Sequence, residues 1–177
     1  QQNYLINTIK KLIKNSEILN IKYFIIPLVD NASIKSKRHE DMIVNLFDKL
    51  LKFSFKKIYI LFESDYSPKN LYRFIRRFKS KRIGINYDCG NSASLGYNFD
   101  DEKIYFKYIK NVHIKDRLYK GKTVRLGRGD AKLLKILKYF KKKKYTGNYI
   151  FQTARCKNKS HIKELLVNKK YLLNLKI

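Results

Sequence analysis

Five short apolar runs punctuate the chain, spaced about 25 to 37 residues apart, the length of one strand-plus-helix unit. Residues 22–29 (KYFIIPLV), 57–62 (KIYILF), 82–87 (RIGINY), 111–115 (NVHIK) and 148–152 (NYIFQ) are rich in β-branched and aromatic side chains, which predicts buried strands. Between them the apolar positions change to helical spacing. Residues 40–53 place Met42, Ile43, Leu46, Phe47, Leu50 and Leu51 on one face, and residues 69–78 do the same with Leu71, Phe74, Ile75 and Phe78. Residues 101–109 and 130–140 follow, the latter with Leu133, Leu134, Ile136, Leu137 and Phe140; helices over 4–19 and 161–175 flank the set. A helix followed by five strand–helix units calls for parallel strands joined by right-handed crossovers, with the helices outside.

Two closures of such a sheet compete. A flat nucleotide-binding sheet carries a Gly-rich turn after its first strand, whereas Val29-Asp30-Asn31-Ala32-Ser33 follows here. What recurs instead is a polar residue at the carboxyl end of each run: Asp30, Glu63 with Asp65, Asp88, His113 and Gln152. In a (β/α)₈ barrel those ends converge on one mouth, where catalytic groups collect. The expectation is therefore an α/β chain forming the C-terminal part of a TIM barrel, about strands 4 to 8, as one partial domain over residues 1–177. On this reading the N-terminal βα units are missing, in keeping with a start at Gln1 in place of Met, and residues 22–29 form a strand with an uncovered edge.

Composition narrows the class. At 177 residues, 44% hydrophobic and 14% aromatic, the chain can bury a core and is not disordered. It has no apolar run long enough to span a membrane. Cys89 and Cys156 do not form a metal-type pair and, with no export signal, read as reduced thiols of a cytoplasmic protein. The formal charge of +27, from 41 Lys and Arg against 14 Asp and Glu, invites a nucleic-acid reading. Yet Lys far exceeds Arg, Asn and Ile are abundant and Trp is absent, as an AT-rich coding sequence produces. The lysines also lie on the polar side of nearly every predicted helix, and the run at 141–144 reads as a solvated helix end. Nucleic acid is accordingly not the expected partner.

The chemistry resides at the strand ends. Glu63, Asp88, His113 and the amide oxygen of Gln152, each from a different strand, make a mixed oxygen and nitrogen set for Mn²⁺, Mg²⁺, Co²⁺ or Zn²⁺ with positions open for substrate. Singly, a carboxylate there can merely cap the next helix and a histidine can be structural; falling in step on consecutive strands, the four point to one ion. Two loops add detail. Residues 87–97 (YDCGNSASLGY) can turn tightly against a ligand, and the Gly127/Gly129 turn within VRLGRGD leads into a helix whose N–H groups could hold an anion such as a phosphate.

The segments YDCGNSASLGY, VHIKDR, VRLGRGDA and YIFQTAR together resemble the xylose-isomerase-like (β/α)₈ superfamily, over about residues 22–155. That group includes sugar-phosphate isomerases and epimerases such as L-ribulose-5-phosphate 3-epimerase and, more distantly, endonuclease IV. The resemblance implies one metal held by Glu63, Asp88, His113 and Gln152, with the first and last also the acid/base pair. It implies a sugar or sugar phosphate as the small-molecule partner and proton transfer through an enediolate. Asn91, Lys115, Arg117 and Arg155 become the substrate-binding candidates. Self-association into a homo-oligomer is left open.

Gln152 departs from the family's second glutamate. An amide can offer oxygen to a metal but cannot take a proton at neutral pH. Two-base epimerisation would lose a partner, whereas one-base aldose–ketose isomerisation by Glu63 survives. The rival reading, an AP endonuclease, needs ligands for three zinc ions, including a histidine three residues after Asp88, where Asn91 stands. A catalytically degenerate barrel is the second rival.

Overall fold

The apolar runs become parallel strands, and the helically spaced segments become helices that cover them. The computed structural model describes residues 2–52, 58–156 and 160–177. The chain falls into two compact units, residues 1–86 and 87–177.

The first unit begins with helix α1 (Gln2–Ile18), followed by strand β1 (Tyr23–Leu28), helix α2 (Lys37–Lys52), strand β2 (Tyr59–Ser64) and helix α3 (Pro68–Ile75). Strand β3 (Ile83–Asp88) begins here and runs into the second unit. β1 pairs with β2 from Tyr23↔Tyr59 to Leu28↔Ser64, and β2 with β3 from Ile60↔Ile83 to Phe62↔Ile85. The core condenses on Phe62, whose ring lies 5.1 Å from Phe47 and 5.3 Å from both Phe74 and Phe78. Aromatic edge and stacking contacts of this kind add to the burial of apolar area. α3 starts where the sequence permits it: the Ser67 hydroxyl accepts from the Asn70 N–H at 3.4 Å and Pro68 occupies the first turn.

A buried ion cluster ties α2 to α3. Glu40, with no exposed surface, accepts from Arg73 at 2.8 Å, Arg77 at 2.5 Å and the Tyr66 hydroxyl at 3.0 Å. Tyr66 lies on the loop that leaves β2, so the cluster also fixes the backbone just beyond Glu63. Burial alone would raise the Glu40 pKa, but the bonds from Arg77 and Tyr66 and the charge of Arg73 outweigh it and hold the carboxyl below its ordinary value.

The second unit takes in the end of β3, the one-turn helices α4 (Cys89–Ser94) and α5 (Phe99–Glu102), a 3₁₀ stretch (Lys103–Tyr108) and strand β4 (Ile109–Ile114). A small antiparallel hairpin, β5 (Asp116–Arg117) with β6 (Thr123–Val124), precedes helix α6 (Leu133–Lys142), strand β7 (Asn148–Phe151) and helix α7 (His161–Leu173). β4 and β7 pair in parallel from Asn111↔Asn148 to Ile114↔Phe151. Phe140 of α6, fully buried, anchors this core, with its ring 4.9 Å from Tyr145, 5.0 Å from Phe106 and 6.0 Å from Tyr87. α7 is fastened by Arg125, which grips Glu164 at 2.6 and 2.7 Å, and by Asn168, which accepts from the Leu126 N–H at 3.0 Å. Gly127 has φ +79° with Tyr171 lying where a β-carbon would stand, so no other residue fits this turn without displacement.

Each predicted strand appears, displaced by two residues or fewer. Residues 53 and 57, the last of one predicted helix and the first of one predicted strand, lie outside the described residues. The expected helix over 101–109 is instead α5 plus the 3₁₀ stretch, because Asn98 caps it early and Glu102 is drawn into the core. The expected helix over 130–140 starts at Leu133, since Asp130 turns back to accept from the Tyr119 N–H at 2.7 Å. Among the described residues no helix is long and apolar enough to cross a membrane.

Replacing Glu40 by Ala should lower stability by about 3 kcal/mol, the low end for removing one partner of a buried ion cluster, because Arg73 is half exposed. Since the folded pKa of Glu40 is depressed, its contribution is full above the ordinary carboxylate value and lost as pH falls through the folded one. Urea melts of wild type and E40A at pH 7 and pH 3 check both: the difference should shrink in acid.

Candidate metal centre

Each chemically interesting side chain lies at the carboxyl end of a strand, or just past it, because that is where alternation stops feeding residues to the core. In the first unit Glu63 is the penultimate residue of β2, only 9% exposed. Its carboxylate accepts from the Asn86 side-chain amide at 2.7 Å, which fixes its rotamer on the face of β3 that carries Asn86. Asp65, two residues further on, accepts from the Ser33 hydroxyl and thereby braces the loop after β1. Asp30 is exposed with φ +54° and serves the turn after β1.

The second unit gathers a denser set. Asp88 ends β3 and caps α4: its Oδ1 accepts from the Asn91 N–H at 2.8 Å. That leaves Oδ2 facing His113 Nδ1 at 3.7 Å and Lys115 Nζ at 3.4 Å. His113 sits on β4 between Val112 and Ile114, which are 0% and 1% exposed, so its ring is held on the opposite face. Lys115 Nζ also donates to Asn91 Oδ1 at 3.2 Å and Gln152 Oε1 at 3.1 Å. Arg117 donates to the same Asn91 oxygen at 3.0 Å and, through Nε and its other terminal nitrogen, to the Gly121 carbonyl at 3.1 and 2.9 Å. Gln152 prolongs the β4–β7 ladder, its N–H donating to the Ile114 carbonyl at 3.1 Å.

Of the residues expected at the site, Asp88, Asn91, His113, Lys115, Arg117 and Gln152 thus form one connected group. Arg155 is exposed, and no contact of it with this group is seen among the described residues. Gly90 is a residue the pattern of candidate ligands did not mark. A β-carbon there would stand 2.6 Å from Lys115 Cγ, so the glycine leaves the channel along which the lysine reaches Asn91 and Gln152.

The donor pair fits a cation. Ligand atoms about 2.0 to 2.2 Å from one ion stand roughly 3 to 4 Å apart, and Asp88 Oδ2 with His113 Nδ1, at 3.7 Å, falls within that span. A carboxylate with an imidazole is the mixed chemistry that Zn²⁺, Mn²⁺ and Co²⁺ accept.

The Gly127/Gly129 turn does not act as the anion cradle expected of it. Asp116 has no exposed surface, and its two oxygens accept from the N–H groups of Gly127 at 2.9 Å, Gly129 at 3.0 Å and Ala131 at 3.0 Å. The anion that this turn holds is the chain's own carboxylate, Asp116, which directly follows Lys115. Gly129 is required for the approach, since a β-carbon would meet Asp116 Oδ1 and the Arg117 carbonyl.

Parallel strands with outer helices, and a carboxylate–imidazole pair at the strand ends, define an α/β barrel-type protein. The family model described as xylose isomerase-like TIM barrel matches residues 2–166, and the chain belongs to that family. Among solved structures it is similar to a xylose isomerase domain protein from Planctomyces limnophilus, with TM-score 0.82 and 19% identity, covering 97% of this chain and 65% of that one. It is also similar to the IolI protein with a bound zinc atom, with TM-score 0.81 and 18% identity over 98% of this chain and 69% of that one. A D-tagatose 3-epimerase-like protein gives TM-score 0.73 and 18% identity, with 98% and 70% covered. The chain therefore spans about two thirds of the length of these structures. No curated protein sequence matches it.

Asp116→Asn should destabilise the second unit by about 2 kcal/mol, because an amide nitrogen would face N–H donors that now share a carboxylate. Thermal melts of the variant check this; a stability equal to wild type would mean the turn is held by other contacts.

Proposed function

We propose that the chain carries the catalytic groups of a divalent-metal-dependent sugar isomerase or epimerase. The observation that carries the reading is the approach of Asp88 Oδ2 to His113 Nδ1 beside a hydrogen-bonded cluster of Lys115, Asn91, Gln152 and Arg117. The names of two similar structures, one with zinc bound and one D-tagatose 3-epimerase-like, agree with a cation and a small sugar.

On this reading Glu63, Asp88 and His113 hold the ion, with the Gln152 amide oxygen as a further donor. The register of β2 on β3 and the bond from Asn86 to Glu63 support the inclusion of Glu63. Asp88 lies two residues beyond Asn86 on the same strand, and side chains two apart share a face. When bound, the cation polarises the substrate carbonyl and steadies negative charge on its oxygen. Glu63 removes a proton from the carbon next to that carbonyl, giving the enediolate of the sugar, and exchanges it in part with solvent. It then delivers a proton to the former carbonyl carbon on the same face, while the hydroxyl proton of the first carbon passes to the former carbonyl oxygen. Gln152 cannot take a proton, so this one-base isomerisation suits the chain better than two-base epimerisation. Asn91, oriented by Lys115 and Arg117, is placed to bind sugar hydroxyls. With the Gly127/Gly129 turn committed to Asp116, an unphosphorylated sugar is favoured over a sugar phosphate.

Metal analysis and deuterium exchange test the reading. Wild type loaded with Mn²⁺ should retain about one equivalent, and Glu63→Gln and His113→Ala should each weaken retention by more than about tenfold. In D₂O, wild type should place solvent deuterium on carbon in a member of a free aldose and ketose panel, and Glu63→Gln should abolish it. Unchanged metal retention in both variants would remove the site, and metal binding without exchange on any sugar would leave a degenerate barrel.

A further inference from the structure

A second buried glutamate that the proposed chemistry does not use, besides Glu40, is Glu102, at the end of α5 and 2% exposed. Its Oε2 accepts from the Tyr87 hydroxyl at 2.7 Å; its Oε1 accepts from the Ser92 hydroxyl at 2.5 Å and the Tyr105 hydroxyl at 2.7 Å. Two of these partners bracket the site in sequence. Tyr87 immediately precedes Asp88, and Ser92 immediately follows Asn91.

From this placement we infer that Glu102 is a positioning residue: it clamps both ends of the 87–92 corner and so sets Asp88 Oδ2 toward the metal and Asn91 toward the sugar. The inference rests on the metal reading above for its functional consequence, though not for its geometry. The corner needs such a clamp. α4 has only six residues, far below the length at which a helix holds itself together, and its side-chain cap is the single bond from Asn91 N–H to Asp88 Oδ1. A shift of the corner would therefore move the cap and both functional side chains together.

The clamp also has two separable arms. The Tyr87 ring packs on Phe140 at 6.0 Å and Phe99 at 6.5 Å, so Tyr87→Phe keeps the aromatic contacts and removes one hydroxyl. Ser92→Ala removes the other. The Tyr87 arm acts on Asp88 through one peptide bond, and the Ser92 arm acts on Asn91 in the same way. Tyr105 anchors the carboxylate from the 3₁₀ stretch and touches neither functional residue through the chain.

The test compares wild type with Glu102→Gln, Tyr87→Phe and Ser92→Ala by amide hydrogen exchange and by Mn²⁺ titration followed by electron paramagnetic resonance. Glu102→Gln should reduce protection of the Asn91 N–H at least tenfold while leaving the N–H of buried Ile136, bonded to the Lys132 carbonyl in the first turn of α6, unchanged. The same variant should weaken Mn²⁺ binding by about tenfold, as loss of a supporting hydrogen bond does for a ligand carboxylate. Tyr87→Phe should reproduce the Mn²⁺ loss, and Ser92→Ala should leave Mn²⁺ binding within twofold of wild type while still lowering Asn91 protection. Unchanged Asn91 protection in all three variants overturns the inference, as does equal loss at Asn91 and Ile136, which would mark Glu102 as a general support of the fold. If Glu102→Gln does not fold, the two hydroxyl variants decide alone. Wild type that binds no Mn²⁺ overturns the metal reading, and the exchange data still decide on Glu102.

Discussion

Burying a carboxylate requires that donors replace the water it loses, and in this chain that requirement organises both units. Five of the 14 acidic residues are buried: Glu40, Glu63, Asp88, Glu102 and Asp116. Each is satisfied by its own set of donors. Glu40 takes two guanidinium groups and a hydroxyl, Glu102 three hydroxyls, Asp116 three backbone N–H groups and Glu63 a side-chain amide. Asp88 takes one backbone N–H on one oxygen and leaves the other facing an imidazole and an ammonium. An unsatisfied buried charge would cost several kcal/mol, so each of these acids dictates the conformation of the segments that supply its donors. Burial pushes Glu102 above the ordinary carboxylate range even against the pull of Ser92, Tyr87 and Tyr105.

This arrangement also bears on the charge. With five of the 14 acids inside, the exterior carries fewer negative groups than the composition suggests, and among those that remain Asp41, Asp100 and Glu164 each pair with a cation. The buried negative groups position backbone and side chains around them. The basic side chains that join the site, Lys115 and Arg117, are held by Asn91, Gln152 and the Gly121 carbonyl. They are local hydrogen-bonding groups with fixed partners, unlike the solvated lysines of the outer helices.

Much of this was legible in the sequence, for definite reasons. Strands announced themselves because apolar, β-branched runs have few other uses, and their polar last residues marked the candidate site because alternation ends there. Asp88 and His113 could be named as partners from position alone. The role of Asp116 could not: nothing in VHIKDR tells that its aspartate folds back under a glycine turn eleven to fifteen residues later, a contact made by tertiary geometry. The turn itself was visible but was read as open to a foreign anion. Glu102 was hidden for a related reason. It sits in an acidic triplet, Asp100-Asp101-Glu102, that reads as a solvated helix start, and only the hydroxyls of Tyr87, Ser92 and Tyr105 reveal which of the three goes inside. Helix limits failed where a side chain capped or redirected the backbone, at Asn98 and Asp130.

The thiols carry a practical consequence. Cys89 opens α4, is 1% exposed and has its pKa driven well up by burial, with Asp88 and Glu102 adding to the effect, whereas Cys156 is partly exposed after β7. Alkylating reagents react with the accessible thiolate and spare a buried thiol. The protein thus contains its own pair of labels: one reports ordinary surface reactivity, the other waits until the hinge of backbone around residues 88 to 91 comes apart. The ratio of their labelling rates would serve as a clock for local opening at the very place where chemistry is expected.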